Sequence, residues 1–576
     1  MNTESYVIRI GGEAGWGLAS AADIIAKLFI NLGYNIFSSK DYASQIKGGH
    51  NYHTIRISNK EASADVKNVD LLLALDKRTL DLHTKNVSEN GIVLYDEKVV
   101  LEEKKQNINY VPIPLTKIEE RNHLKNVRNA VFLGAMVKSL GIDYSLLRKR
   151  IKDHFQGKET LVGKLLLAAK EGSDSVEENK ETEFAKEIEN KVSHFINGND
   201  AITLGALKAG LTFHAQYPMT PVTGILHNLA KEAVRNKNLI VIQPEDEISA
   251  INMALGASYT GRRAMTATSG GGFSLMVESF GLAGMAEIPL VLIEGQRPGP
   301  ATGLPTKTEQ GDLKFVLSAS QGDFPRVVIA PKTVGECYTE TKRAFYLAEK
   351  YQLPVIVLVD KHLTESSQTL NLEEVEKEFT FNYDQRINMI ESVNEGQLNS
   401  DGIYKRYEKD NINRTLPGTI NGVYTCTGDE HDAVGQIIEE PKTRIEMMQR
   451  RMNKLKLAKK ELPIPKLVGP EDAELTIVSW GSNYGAVVEA MEKLNLESKK
   501  VNFLCLEYLF PFHNKEVKEL LVGSKKLVLL ECNYSGQLGE LIAEQTGIMI
   551  EDKILRYDGN PFTINKVYEE LKKRLN

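Results

Sequence analysis

An α/β fold, multidomain and built on three open, mostly parallel sheets, is predicted for this chain of 576 residues by three observations. Apolar runs of strand length alternate with helix-length amphipathic stretches in three separate blocks. Glycine turns follow several of those runs, as they do where a strand feeds a helix. An acidic, apolar-poor stretch at 171–193 separates the first block from the second and reads as a solvated linker. The length suits about three or four domains at roughly 150 residues each.

In the first block, 1–170, strand Tyr6–Ile10 runs into Gly11, Gly12, Gly15 and Gly17 and then a helix from about Leu18 to Leu32. Strand, glycine turn and helix in that order suit a phosphate group at a helix N-terminus. The spacing is not G-x-G-x-x-G, and tight helix–sheet packing uses the same glycines. Strands at Leu71–Leu75 and Gly91–Tyr95 and a helix over Val127–Leu140 suggest a small open sheet.

The second block, 194–365, alternates more cleanly. Helices are expected at 200–210, 222–235 and 247–261, and strands at 212–216, 239–243, 264–267, 289–293, 326–330 and 354–359. Residues 366–465 form a connecting region of low pattern, and the Lys/Arg/Met-rich run 441–460 reads as a solvated helix. The third block, 466–576, returns to α/β with strands at 475–479, 501–506 and 526–531 and a helix at 484–494.

Composition narrows the function. A net charge of −6 offers no basic face for nucleic acid. No apolar run approaches the roughly 18–20 residues that span a bilayer, and Met1-Asn-Thr-Glu-Ser lacks the features of a signal peptide. A cytoplasmic protein that binds neither nucleic acid nor membrane is expected. The four cysteines, Cys337, Cys426, Cys505 and Cys532, form no C-x-x-C pair. A disulfide framework, a zinc site or an iron–sulfur cluster held by this chain alone is therefore not expected.

The most informative segment is 265–312. Gly270–Gly272 and Gly295–Gly303 each follow a strand, and ligands collect at the carboxyl ends of strands in such sheets. The second turn carries Arg297 and Lys307 among Thr302, Thr306 and Thr308, a combination suited to a carboxylate or phosphate. Tyr217-Pro-Met-Thr-Pro221 sits between a strand and a helix. There Thr220 either caps the helix, worth about 1 kcal/mol, or faces a bound anion. Glu245-Asp-Glu247 opens another helix, where acidic residues partner the dipole or one of them turns inward to a cofactor. Asp429-Glu430-His431 has the residue types of a metal ligand set but sits in the weakly patterned region, and no metal site is assigned. Trp480, Gly536 and Gln537 read as packing residues.

Several motifs in order resemble one family. Gly198-Asn-Asp-Ala, Tyr217-Pro-Met-Thr-Pro221, Glu245-Asp-Glu247-x-x-Ala, Thr266-x-Thr-Ser-Gly-Gly-Gly272 and Gly303-Leu-Pro-Thr-x-Thr-Glu-Gln-Gly-Asp312 resemble the α subunit of 2-oxoacid:ferredoxin oxidoreductases. The first block, with Lys47-Gly-Gly-His50, looks like that family's γ domain fused ahead of α. Ser479-Trp-Gly-Ser482 and Glu531-x-Asn533-x-x-Gly536-Gln537 look like its transketolase-C-type domain.

The resemblance implies oxidative decarboxylation of a 2-oxo acid, with 2-oxoglutarate favoured and pyruvate or branched-chain acids as alternatives. The products would be acyl-CoA, CO2 and reduced ferredoxin. It makes 194–365 the pyrimidine-binding domain for thiamine diphosphate, with Glu247 on the aminopyrimidine ring as the catalytic carboxylate and Ser269 and Gly270 beside the cofactor. Tyr217, Thr220, Arg297 and Lys307 would bind substrate. No Gly-Asp-Gly followed by an Asn pair is present to hold Mg2+ and diphosphate. Mg2+ and the [4Fe-4S] cluster are therefore expected on a β subunit, in an (αβ)2 assembly with coenzyme A as substrate and ferredoxin as acceptor.

Two departures stand out: Gly271 replaces a frequent proline, leaving the turn more flexible, and Lys307 replaces a frequent arginine. A reading from a different class is a non-catalytic scaffold subunit whose N-terminal glycine turn holds a nucleotide.

Overall fold

The protein, described here from a computed structural model, is defined at residues 5–44, 49–101, 104–121, 127–178, 184, 194–377 and 388–575. Lys47 and Gly48 lie outside these residues, as does most of the acidic stretch beyond Glu178. The chain divides into two compact units. The first holds Met1–Ile196, Glu365–Glu373 and Thr563–Val567; the second holds Asn197–Thr364, Glu374–Phe562 and Tyr568–Asn576. Among the described residues no helix is long and apolar enough to cross a membrane.

The first unit is built on an eight-stranded sheet, larger than the small sheet expected from sequence. Strand Ser5–Glu13 pairs in parallel with Val69–Ala74, which continues in parallel to Val87–Asp96 and Asn109–Ile113. On its other side the sheet turns antiparallel, through His50–Ser58, Asn35–Asp41 and Ser367–Leu370. The antiparallel strands were not anticipated because His50-Asn-Tyr-His and Asn35 carry polar side chains that mask the strand pattern. The first strand also runs through Gly11 and Gly12 rather than turning at them. A Cβ on Gly11 would meet Thr79 Cγ2 at 2.7 Å, and one on Gly12 would meet the Trp16 ring at 3.1 Å. The positive-φ positions come later, at Gly15 and Gly17. Gly17 ends the turn against Asn129, whose amide donates to its carbonyl at 3.2 Å, so close packing accounts for three of the four glycines.

Helix Glu159–Asp174 runs through the first residues of the expected linker. It lies so close to helix Arg128–Ser139 that a Cβ on Gly134 would fall 1.7 Å from the Ala169 carbonyl oxygen, and one on Gly172 would fall 2.1 Å from that of Val131.

The second unit contains two sheets. The seven-stranded one has the order Tyr508–Phe510, Val327–Ile329, Pro354–Asp360, Leu290–Gln296, Ala264–Thr268, Phe213–Ala215, Ile240–Ile242. All its pairings are parallel except that of the first strand. The five-stranded one has the order Leu467–Val468, Val501–Leu506, Leu475–Trp480, Leu527–Glu531, Lys553–Leu555, antiparallel only at its first pairing. Parallel strands covered on both faces carry near-continuous apolar runs, as Leu290-Val-Leu-Ile293 and Pro354-Val-Ile-Val-Leu-Val359 do. The two sheets share one apolar core in which Leu292, Ile356, Val478, Leu504 and Leu529 are buried together.

The helix expected to be solvated, Pro441–Lys459, instead buries Met447, Arg450, Arg451, Lys454, Leu455 and Ala458. Arg450 and Lys454 both engage the fully buried Glu287. Burial alone would raise that carboxyl, but the two cations hold it below the usual carboxylate range. Arg451 pairs with Glu430, which Arg444 also reaches. A cation-rich helix cannot be told from a solvated one when its anions lie outside its own sequence.

Because an added methyl has nowhere to go between the two helices, Gly134→Ala should destabilise the first unit by about 1–3 kcal/mol. Calorimetry of the whole chain would show this as a lowered transition for that unit, and an unchanged thermogram would refute such close helix packing.

Candidate functional site

Four strands of the seven-stranded sheet lead into the site, and each delivers part of it. Strand Phe213–Ala215 leads into the Tyr217–Pro221 loop, which is pinned through its main chain. The Asn199 amide donates to the Pro221 carbonyl at 2.9 Å, Gln216 donates to the Val222 carbonyl at 3.1 Å, and Arg297 donates to the Thr220 carbonyl at 3.0 Å. The Thr220–Pro221 peptide is cis. The following helix begins at Thr223 with Val222 as its N-cap and no side-chain capping bond. Thr220 therefore does not cap it, and Pro221 is not its first residue.

After strand Ile240–Ile242, the three acidic residues separate by role. Glu245 is exposed. Asp246 caps the helix Glu247–Tyr259, accepting from the Ser249 N–H at 2.7 Å. Glu247 is buried, at 5% exposure. Its carboxylate lies against Gly272, where a Cβ would stand 2.5 Å from Glu247 Oε1 and 2.1 Å from Thr268 Oγ1.

Strand Ala264–Thr268 leads to Ser269, whose buried hydroxyl has no partner among the described residues, as does that of Thr266. The expected Gly270–Gly272 turn is the first turn of helix Gly270–Met285, with Ser269 as N-cap and no side-chain capping bond. The leading N–H groups of such a helix have no partner within it. Gly271 is thus a helical residue with open space beside it, the nearest atom to an added Cβ being the Ala301 oxygen at 3.7 Å. The flexible turn expected there is absent.

The segment after strand Leu290–Gln296 is a loop held at its far end by the five-stranded sheet. Gln310 is fully buried. Its Oε1 accepts from Asn483 Nδ2 at 2.7 Å and from the Cys532 N–H at 3.0 Å, and its Nε2 donates to the Trp480 carbonyl at 2.9 Å. Its main chain bonds the Cys532 carbonyl at 2.6 Å and the Asn533 side chain at 2.8 Å. Thr308 bonds Gly559 and Asp360, and Gln537 donates to the Gly311 carbonyl at 2.7 Å. Trp480 is buried as expected and donates to Glu531 at 2.9 Å. Gln537, expected only to pack, also fastens this loop.

This fastening sets Asp312 against Gly270, where a Cβ would lie 2.5 Å from Asp312 Oδ2. The Asp312 N–H donates to Gln296 Oε1 at 3.1 Å. Burial and the Asp312 charge push the Glu309 carboxyl up to about 7. Burial lowers the Arg297 guanidinium, while Asp312 and Glu294 oppose that shift.

Among the predicted site residues, the fold joins Thr220 to Arg297 and brings Glu247 to the helix that Ser269 and Gly270 open. Tyr217, at 36% exposure, lies on the loop's outer side. Lys307 is half-buried, and its stem packs on Gly559. Asp429, Glu430 and His431 serve structure: Glu430 binds arginines, and the His431 ring lies against Tyr407 with centroids 4.2 Å apart. Sequence reasoning missed Gln310, Asp312 and Glu294. A lone carboxylate ending the buried run Leu290-Val-Leu-Ile293 is itself a signal for Glu294, whereas nothing local marks Gln310.

Comparison with known proteins fits this architecture. Residues 204–449 match the family described as "Pyruvate flavodoxin/ferredoxin oxidoreductase, thiamine diP-bdg", residues 7–175 "Pyruvate ferredoxin/flavodoxin oxidoreductase", and residues 473–567 "Pyruvate:ferredoxin oxidoreductase core domain II". The fold and these matches define an oxidoreductase subunit. The 2-oxoacid:ferredoxin oxidoreductase subunit alpha of Saccharolobus solfataricus is 33% identical over 98% of this chain and 96% of its own length. The 2-oxoglutarate synthase subunit KorA of Methanocaldococcus jannaschii is 36% identical over 60% of this chain and 89% of its own. A solved 2-oxoglutarate:ferredoxin oxidoreductase from Magnetococcus marinus, with 2-oxoglutarate, coenzyme A and succinyl-CoA bound, superposes with a TM-score of 0.90 at 31% identity, covering all of both chains. The chain belongs to the 2-oxoacid:ferredoxin oxidoreductase family, as an α subunit with a γ-type domain fused at its N-terminus.

Removing the Gln310 side chain strips the Cys532 N–H and the Trp480 carbonyl of their partner and Asn483 of its shorter bond. Gln310→Ala should therefore cost at least about 2 kcal/mol and expose 297–312 to limited proteolysis. Wild-type melting and cleavage in this variant would show that the loop is held by something else.

Proposed function

We propose that the chain binds thiamine diphosphate at the Glu247–Gly272 site and, with a β subunit, oxidatively decarboxylates 2-oxoglutarate with coenzyme A. The products are succinyl-CoA, CO2 and reduced ferredoxin. The observation that carries this reading is the buried Glu247 carboxylate at the first turn of its helix, facing a cradle that only a glycine at 272 leaves open. The partnerless hydroxyls of Ser269 and Thr266 nearby on the chain fit a polar group that this chain does not itself supply.

Thiamine diphosphate supplies an acidic thiazolium carbon and an electron sink when bound. Glu247 would hold the aminopyrimidine ring nitrogen and its proton, and Ser269 and Gly270 would line the ring. Arg297 has one N–H committed to the Thr220 carbonyl and further N–H groups for a carboxylate. Thr220 would hold the keto oxygen, and Tyr217 would border the entry. Lys307 would meet a distal carboxylate, the feature that favours 2-oxoglutarate. Pyruvate is the second reading, favoured by the family descriptions themselves. Mg2+ and the [4Fe-4S] cluster would belong to the β subunit in a cytoplasmic (αβ)2 complex. Ile248, Met253 and Leu275, exposed on the two helices that frame Glu247, offer an apolar surface for that subunit.

The deciding assay is anaerobic, coenzyme A-dependent reduction of a viologen dye by the chain with and without its co-expressed partner. Turnover of 2-oxoglutarate only with the partner is expected. Pyruvate turnover in its place would move the substrate assignment, and silence with every 2-oxo acid in a complex that binds thiamine diphosphate would favour the scaffold reading. Glu247→Ala should abolish turnover by at least about a hundredfold while the complex still assembles. Gly272→Ala should weaken thiamine diphosphate binding, because its methyl displaces the Glu247 carboxylate. Full activity in both variants would remove Glu247 from the reaction.

A further inference from the structure

Glu294 lies within strand Leu290–Gln296, directly after the apolar run Leu290–Ile293. It is fully buried, and no N–H or O–H of the described residues reaches either of its oxygens. What faces it is another carboxylate, that of Asp312. The arrangement follows from strand geometry. Residues two apart on a strand share a face, so Glu294 and Gln296 both point at Asp312. Gln296 takes the Asp312 N–H at 3.1 Å, and Glu294 faces its side chain. Asp312 precedes helix Leu313–Ser318 without capping it through its side chain. Its carboxylate is instead turned onto Gly270, so close that a Cβ there would stand 2.5 Å from Oδ2. Gln310, two residues earlier, anchors the backbone that fixes this position.

We infer that Glu294 and Asp312 share one proton beneath the first turn of helix Gly270–Met285, with Glu294 as the donor. The pair thereby acts as a positioning element that presents the Arg297 guanidinium to the substrate carboxylate. Two carboxylates that face each other, one of them fully buried, are disfavoured from both being ionised. The charged groups that face the pair are few. Arg297 acts on both members and favours one negative charge, and Glu309 faces Asp312. Burial and the facing Asp312 raise Glu294 far above the usual carboxylate range, whereas Arg297 and the bond from Glu294 oppose the rise of Asp312 caused by its own burial. The proton therefore stays on Glu294, the single charge stays on Asp312, and Arg297 is balanced without being drawn away from an incoming anion. A second negative charge in the pair would pull the guanidinium inward and repel that anion. The positioning role rests on the proposed reaction; the shared proton does not.

The experiment separates the two. In the complex of this chain with its partner subunit, infrared difference spectra between wild type and Glu294→Gln at pH 8 should show one protonated-carboxyl C=O band, shifted by H/D exchange and lost in the variant. Absence of that band overturns the shared proton. Kinetically, Glu294→Ala should raise KM for the 2-oxo acid about tenfold, the loss of one hydrogen bond to a charged group, with a smaller effect on kcat. Glu294→Gln, still neutral and still a donor, should restore it.

In wild type, KM should rise with pH in two steps. The lower, near 7, belongs to Glu309 and disappears in Glu309→Gln. The upper step belongs to Glu294 and disappears in Glu294→Gln. Equal losses in the Ala and Gln variants, or an upper step that persists in Glu294→Gln, overturn the positioning role. A band present in a complex that turns over no 2-oxo acid would leave the pair standing and sink the proposed reaction instead.

Discussion

The site depends on one buried side chain that touches none of its predicted members. Gln310 satisfies its amide against Trp480, Asn483 and Cys532, joining the loop after one sheet to the strand ends of another. A neutral amide suits this work. It both donates and accepts in a place where a charge would need a partner, and every polar atom it meets belongs to a segment about 170–220 residues away in sequence. The five-stranded sheet thus serves as the clamp that makes 307–312 a fixed wall. With the wall fixed, Asp312 lies against Gly270 and faces Glu294 and Arg297.

Within that frame, three glycines act by absence of a side chain. Gly270 admits Asp312, Gly272 admits Glu247, and Gly295 admits Val222, with a Cβ at each meeting those groups at 2.5–2.6 Å. Each lets a helix or strand approach a polar or rigid neighbour more closely than alanine would. Gly271 lies between two of them yet has open space, so it is under no such constraint. The difference explains why one glycine of the run is exchangeable in principle while its neighbours are not, and why reading the run as a flexible turn was mistaken.

Much of the frame was legible in the sequence. The parallel strands announced themselves as uninterrupted apolar runs, and Glu247, Ser269, Thr220 and Arg297 fall at strand ends or helix starts, where local signals are strongest. What escaped shares one property: its partners are distant in sequence. The helix 441–459 looked solvated because Glu287 and Glu430 lie outside it, and the antiparallel strands 35–41 and 50–58 went unassigned because polar residues interrupt their pattern. Gln310 and Asp312 lay within a motif, but nothing there marked them as anchors. Glu294 carried a local mark, since a carboxylate in a buried strand end demands a proton or a cation, and its environment is the feature that pattern reading should have weighed.

The loop between Arg297 and Asp312 is unevenly constrained, and this bears on how the family can vary its substrates. Its ends are tied: Arg297 to the Thr220 carbonyl, and Thr308, Gln310 and Gly311 to strand ends and loops of the clamp. Its middle, residues 299–304, is exposed. A fixed base with a free tip permits changes of shape and charge near the tip without disturbing the carboxyl pair or Glu247. Lys307 stands at the border between the two regimes, its stem on Gly559. At such a border a lysine offers a point charge where an arginine would offer a planar fork, and the clamp is untouched by the difference. The exposed tip is thereby free to vary independently of the tied base.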